Sequence, residues 1–312
     1  MRQEANLKKN PKKALLKYFQ PIDIRDVLRD DMTSMDIDES FGYFARMPRR
    51  ERLFLNMYNE KNLLDIMKET GLVAHLKSRG FDDLIIDVDQ DETLIHYLRV
   101  YYDEKAAENL LIDVRLSDSR FVPDSSFFEE GQNLVTLDMI VIEWLSIQDP
   151  RAKFSTDRPQ LPGQSKPGLG CLQYLMKMMY VVAEEGIKDG FMDVPDHMHG
   201  AGMYSINFKF FNPAHEGVLR AILRDAKGYS LGDISWGMIT GTILDVKTGQ
   251  PQVYDPSEQI YPVSKRLKKY FSSKRYERRF NEVYKKKKYS FDYEKMVRLR
   301  EEIIKTKRTE DL

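Results

Sequence analysis

The chain has a single cysteine, Cys171, among its 312 residues. A lone thiol excludes an intrachain disulfide framework and any zinc cluster built on cysteines. No apolar run approaches the ~20 residues that span a bilayer. The start, Met1-Arg2-Gln3-Glu4 followed by Lys8, Lys9, Lys12 and Lys13, lacks the apolar stretch of a signal peptide, so a cytoplasmic protein is expected. Internal repeats and long low-complexity segments are missing as well, which leaves a globular protein of one large or two modest domains. Net charge is zero, with 49 Lys and Arg against 49 Asp and Glu.

That zero hides a strong polarity. Residues 265–288 carry twelve Lys and Arg against Glu277 and Glu282, a local balance of +10, so the rest of the chain carries −10. Within this stretch Leu267, Tyr270, Phe271, Tyr276, Phe280, Val283 and Tyr284 recur at three- and four-residue steps, predicting one amphipathic helix whose apolar side packs on the body of the protein. The basic side, from Lys265 to Lys288, is solvated, pairs with the protein's own acids, or meets nucleic-acid phosphate or an anionic surface.

Apolar spacing predicts helices at 14–19, 22–28, 52–67 and 73–77, the last stopped by Arg79-Gly80. These make an N-terminal helical cap over residues 1–80. Strands follow at 84–88, 93–102 and 109–116, with short links that imply an antiparallel meander. Asp82, Asp83, Asp87, Asp89, Asp91 and Glu92 lack the spacing of a calcium loop and read as solvated turn residues. Residues 134–147 form the most apolar run of the first half and suit a buried central strand. A strand at 191–194, a helix from Asn212-Pro213, and strands at 235–246 and 252–254 around Lys247-Thr248-Gly249-Gln250 complete the reading.

Gln164-Ser165-Lys166-Pro167-Gly168-Leu169-Gly170 is the most informative segment. A glycine-rich turn opens a helix over 169–185 with Leu172, Leu175, Met176, Met179 and Val182 on one side. Such a turn exposes backbone N–H groups at a helix N-terminus, where the dipole favours negative charge, and so suits a pyrophosphate. Cys171 follows directly. The dipole there could lower its pKa, although a small buried hydrophobe is the preferred role.

The order of central strand, Gly168-Leu169-Gly170, long helix, strand and then Met203-Tyr204 resembles the GNAT superfamily of acyl-coenzyme A dependent N-acetyltransferases. Ser165 stands where that family has Gln or Arg, and His199 where its second signature has Asn. The likeness covers roughly residues 80–245. It implies an α/β (α+β) fold with a mixed, mainly antiparallel sheet flanked by helices: a helical cap at 1–80, an acyltransferase domain at 81–255 and a basic helical extension at 256–312. In such a sheet the strand at 191–194 splays from the one at 134–147 and opens a wedge for the pantetheine arm. Acetyl-CoA or another acyl-CoA would be the co-substrate, held by Gln164, Ser165, Lys166, Gly168, Leu169 and Gly170. Tyr204 would protonate the leaving thiolate, and Glu143, a charge within the apolar strand, would take the amine's proton.

His197 is the second choice as proton acceptor, and His199 is a candidate cap for the Tyr204 helix. His197 and His199, with Asp193, Asp196 and His215 near in sequence, fall short of a metal site, because converging ligands are not assured. No metal is expected. The acceptor is an amine of unspecified identity, and an exposed sheet edge allows a homodimer. Two other readings stay open, a catalytically silent ligand- or protein-binding domain and a nucleic-acid-associated protein acting through its basic tail.

Overall fold

The computed structural model describes residues 19–21, 53–124, 136–155 and 159–306. The helices expected at 14–19 and 22–28 lie outside these residues except for Phe19, which begins a short strand, β1 (Phe19–Pro21). The helix expected over 52–67 starts later, as α1 (Glu60–Glu69), where the Asn59 and Asn62 side chains cap each other's backbone amides. Upstream, Leu55 and Asn56 have φ of +51° and +58°. A right-handed helix excludes those values, and residues 53–58 instead close a turn through a Phe54–Tyr58 bridge. α2 (Leu72–Ser78) ends at Arg79, with Gly80 at φ +81° behind it.

Strands β2 (Leu84–Gln90), β3 (His96–Tyr102), β4 (Leu110–Phe121) and β5 (Leu137–Ile147) form the antiparallel meander. β1 pairs with the end of β4, at residues 119–121, beyond the reach of β3. Two of the clustered acids are more than solvated turn residues. Asp87 is buried against Arg99 and Lys105, and Asp91 accepts from the amides of Thr93 and Ile95 and the hydroxyls of Thr93 and Tyr97.

The remaining elements are α3 (Leu172–Glu185), β6 (Gly190–Asp193), α4 (Met198–Tyr204), β7 (Lys209–Phe210), α5 (Pro213–Asp225), α6 (Leu231–Ile239), β8 (Ile243–Asp245), β9 (Gln259–Pro262), α7 (Lys265–Phe271), α8 (Lys274–Lys286), β10 (Tyr289–Phe291) and α9 (Tyr293–Thr306). The main sheet runs β2-β3-β4-β5-β6-β9-β7, and β8 pairs with β10 in a small second sheet. Among the described strands only β5 and β6 pair in parallel. The protein is thus an α/β (α+β) fold with a mixed, mainly antiparallel sheet flanked by helices.

Each face of the sheet has its own core. On one, Leu175, Met178, Met179 and Val182 of α3 join Leu63 and Met67 of α1 and Leu72 and Leu76 of α2 over Leu98, Ile112, Ile140 and Phe191. On the other, Leu267, Tyr270, Phe271 and Tyr276 pack on Phe121, Met139, Met192, Phe211 and Ile260. The single basic helix expected over 265–288 is two, because Ser273 caps the second by accepting the Tyr276 amide. A third cluster joins α4, α5 and α6 through Met198, Leu219, Ile222 and Ile234.

Two strand expectations fail. Residues 231–239 are helical, opened by a reciprocal cap between Ser230 and Asp233, which leaves only β8 of the strand read at 235–246. Residues 252–254 form no strand. β9 lies inside the main sheet, so the sheet reaches past the boundary drawn at residue 255. No helix among the described residues is long and apolar enough to cross a membrane.

Candidate functional site

The parallel pair sets the site. β5 and β6 register only at Met139–Gly190, Ile140–Phe191 and Val141–Met192. Past Val141, β5 stays with β4 as far as Ile147, while Asp193 stays with Gln259 of β9. Two local features drive the strands apart. Trp144 pairs with Arg115 and Ile142 with Leu116, so Glu143 is the extra residue of a bulge, which bends its strand. On β6, Pro195 follows two residues after Asp193 and cannot donate to a ladder.

The gap holds a cavity of about 500 Å³. Its walls are residues 144–148 at the end of β5, the loop 162–166, Asp193, and α4 with the turn before it, including His197, His199 and Tyr204. Gln164, Ser165, Lys166, His197 and Tyr204, all chosen from the sequence, therefore meet around one space. Gly168, Leu169 and Gly170 lie just beyond it, where the loop turns into α3. Leu169 is buried, and its carbonyl is 3.0 Å from Nε2 of His75. Glu143 lies off the cavity lining, and its Oε1 accepts the Ser117 hydroxyl of β4 at 2.6 Å.

The turn into α3 is rich in open donors. Gly170 has φ +72°, and Cys171 follows at φ −103°, ψ 9°. Successive residues of opposite hand turn neighbouring N–H groups toward one side. The amides of Gly168, Leu169, Gly170, Leu172 and Gln173 make no hydrogen bond among the described residues, and that of Cys171 meets its own thiol. Cys171 is buried, and burial pushes its thiol up to about 12. It is a packed thiol, and the dipole-lowered alternative is not what this environment produces.

Across the cavity, Tyr204 donates its hydroxyl to Asp193. Burial, and then the Asp193 charge, hold Tyr204 well above the ordinary tyrosine range, so the phenol is protonated at neutral pH. His199 lies in the first turn of α4 with Nδ1 3.0 Å from Oγ of Ser235, and it caps nothing. Backbone geometry makes His197 the N-cap residue, without a side-chain capping bond. The two rings stack at 5.4 Å. Burial, with His197 alongside, pushes His199 down to about 4, leaving a neutral imidazole. Gly163, at φ +76°, brings the loop against that pair, for a Cβ there would sit 2.7 Å from Nε2 of His197.

Sequence reasoning passed over Asp193 as an acid-base group and Trp144 as a cavity wall. An acid closing an apolar strand two residues before a proline was the available cue for Asp193. Among the described residues no group of three or more His, Cys, Asp or Glu is placed to hold a metal ion. No family model, curated protein or solved structure matches the chain.

Proposed function

We propose that the protein is an acyl-coenzyme A dependent N-acyltransferase of GNAT-like build, which moves an acetyl or other acyl group to an amine. The observation that carries this reading is the parting of β5 from β6 beside a loop of open amides at the head of α3. The slot suits an extended pantetheine arm, and the edge of β5 turned away from β4 can polarise a thioester oxygen. Pyrophosphate fits the amides of 168–173 with Lys166 close in the loop. Pro167 adds no donor, and Ser165 supplies a hydroxyl where the resembled family has a longer side chain. An amine attacking the thioester carbon expels coenzyme A, with Tyr204 at hand for the thiolate and His197 as a further proton acceptor.

Those two loop positions also favour a second reading, a binding domain that holds the coenzyme or a partner without turnover. A third rests on the exposed Lys268, Lys269, Arg278, Arg279, Lys285 and Lys286 of α7 and α8, which a nucleic acid would engage with a steep salt dependence. Part of this basic stretch is already used at home, since Arg266 pairs with Asp189 and Lys287 with Asp245.

Calorimetric titration of acetyl-CoA into the wild type and Gly168→Asp tests the proposal. Saturable binding by the wild type, lost when a carboxylate enters the turn, is the expected result. A folded wild type that binds no acetyl-CoA overturns it.

A further inference from the structure

The acyltransferase reading needs a group to receive the amine's proton, and the sequence nominated Glu143. The fold turns that carboxylate toward Ser117 of β4 and off the cavity lining. Asp193 is different. It lines the cavity, is only 6% exposed, and closes β6 at the point where that strand leaves β5. Gln259 lies directly across from it in the sheet, so the backbone on which it sits is held by the ladder. Tyr204 lines the same cavity, and the Asp193 carboxylate is the hydrogen-bond partner of its phenol. A phenol whose proton is given to a neighbour has none to offer the cavity in the resting state. It offers an oxygen lone pair there instead.

We propose that Asp193 and Tyr204 act as one proton-accepting pair, in which Tyr204 touches the acceptor amine and relays its proton to Asp193. This rests on the acyltransferase reading and fixes the proton route within it. The amine nitrogen attacks the thioester carbon and forms the C–N bond. The excess proton on nitrogen passes to the Tyr204 oxygen as the Tyr204 proton passes to the Asp193 carboxylate. The C–S bond then breaks, its electron pair leaves with sulfur, and the proton returns from Asp193 through Tyr204 to the thiolate. An amide and a free thiol result, and the pair is restored. Tyr204 is a catalytic residue in this scheme, and Asp193 positions it and stores the proton.

The pair is tested by thiol release from acetyl-CoA with hydroxylamine as a small neutral nucleophile, alongside calorimetric titration of acetyl-CoA into every variant. Tyr204→Phe and Asp193→Asn should each slow release by about 10²- to 10⁴-fold, the usual contribution of a positioned proton acceptor, while acetyl-CoA still binds. The double variant should be no slower than the worse single one, because residues acting as a unit are not additive. A second readout follows the ultraviolet phenolate band. In Asp193→Asn the Tyr204 phenol should ionise at lower pH than in the wild type, because a neighbouring carboxylate charge is lost.

Full activity in Asp193→Asn, additive losses in the double variant, an unmoved phenolate titration, or a wild type that binds acetyl-CoA without releasing thiol each overturn the pair. A folded wild type that fails to bind acetyl-CoA overturns the acyltransferase reading itself, which separates the two failures.

Discussion

The two long edges of β6 behave in opposite ways. Toward β9 the strand is paired at all four of its residues. There a Cβ on Gly190 would meet the Tyr261 carbonyl oxygen at 2.3 Å. Asp189, just upstream, accepts from Arg266 and from the Asp138 amide, and its charge persists despite burial because those donors lower its pKa. Toward β5, only three residues pair before the strands separate around a polar cavity. The closed edge is sealed by aromatic packing, with Phe211 stacked on Tyr270 at 4.6 Å and Tyr276 donating to the Phe210 carbonyl at 2.7 Å. The open edge borders the cavity. One short strand thus anchors the sheet on one side and leaves a cavity on the other, and the anchor allows the opening without loss of the fold.

The sharpest way to break the contrast is at the anchor. Gly190→Ala should cost about 3 kcal/mol or more, since a methyl forced onto backbone oxygen must move the strand. Urea unfolding would show the lowered midpoint.

Next comes the buried imidazole on the open side. Below the ordinary histidine value of 6.5, the unfolded chain takes up a proton that His199 refuses until about pH 4. Stability therefore falls as pH drops across that window, by about 3 kcal/mol at most. His96, also lowered by burial, adds a loss of the same sign. Unfolding free energies measured across that pH range should flatten in part in His199→Gln, and an unchanged slope would show that His199 is protonated in the folded chain.

A smaller effect is expected at the sealed edge. Tyr276→Phe keeps the ring and removes the bond to the Phe210 carbonyl, and should cost about 1 kcal/mol in the same unfolding assay. The smallest belongs to Glu143→Gln. The amide oxygen still accepts from Ser117, so stability should stay within about 0.5 kcal/mol, and thiol release should fall less than in Tyr204→Phe. A Glu143→Gln loss equal to that of Tyr204→Phe would return Glu143 to the centre of the chemistry.

Much of the sheet was legible because its strands alternate or run apolar. β2 to β5 and the stripe on α3 follow from those patterns, with ends shifted by a few residues. The failures have local causes. Asn59 restarts a helix that apolar periodicity alone would run through. The apolar run that starts at Ser235 reads as a strand until the Ser230–Asp233 cap, which opens a helix over Leu231–Ile239, is noticed. β9, with four residues ending in Pro262, is too short to leave a periodic signal, and the edge that anchors β6 was therefore invisible.

The same holds for the site. The glycines led to the loop, since backbone demands leave marks in sequence, and the family resemblance led to Tyr204. The Asp193–Tyr204 pairing depends on where β6 parts from β5, a tertiary fact that no spacing encodes. Glu143 is a candidate because a buried carboxylate in an apolar strand can signal function. The structure gives it the Ser117 hydroxyl on β4 as a partner and sets it off the cavity lining.

Trp144 provides the most direct test of the central claim. It lines the cavity and is 47% exposed, whereas Trp236, the other tryptophan, is fully buried. Acetyl-CoA titrated into the wild type and into Trp144→Phe, followed by tryptophan fluorescence with calorimetry in parallel, reports whether a ligand enters between β5 and β6. The account predicts a saturable fluorescence change in the wild type that disappears in Trp144→Phe while calorimetric binding persists. No saturable change in the wild type, or a change that survives in Trp144→Phe, would contradict it.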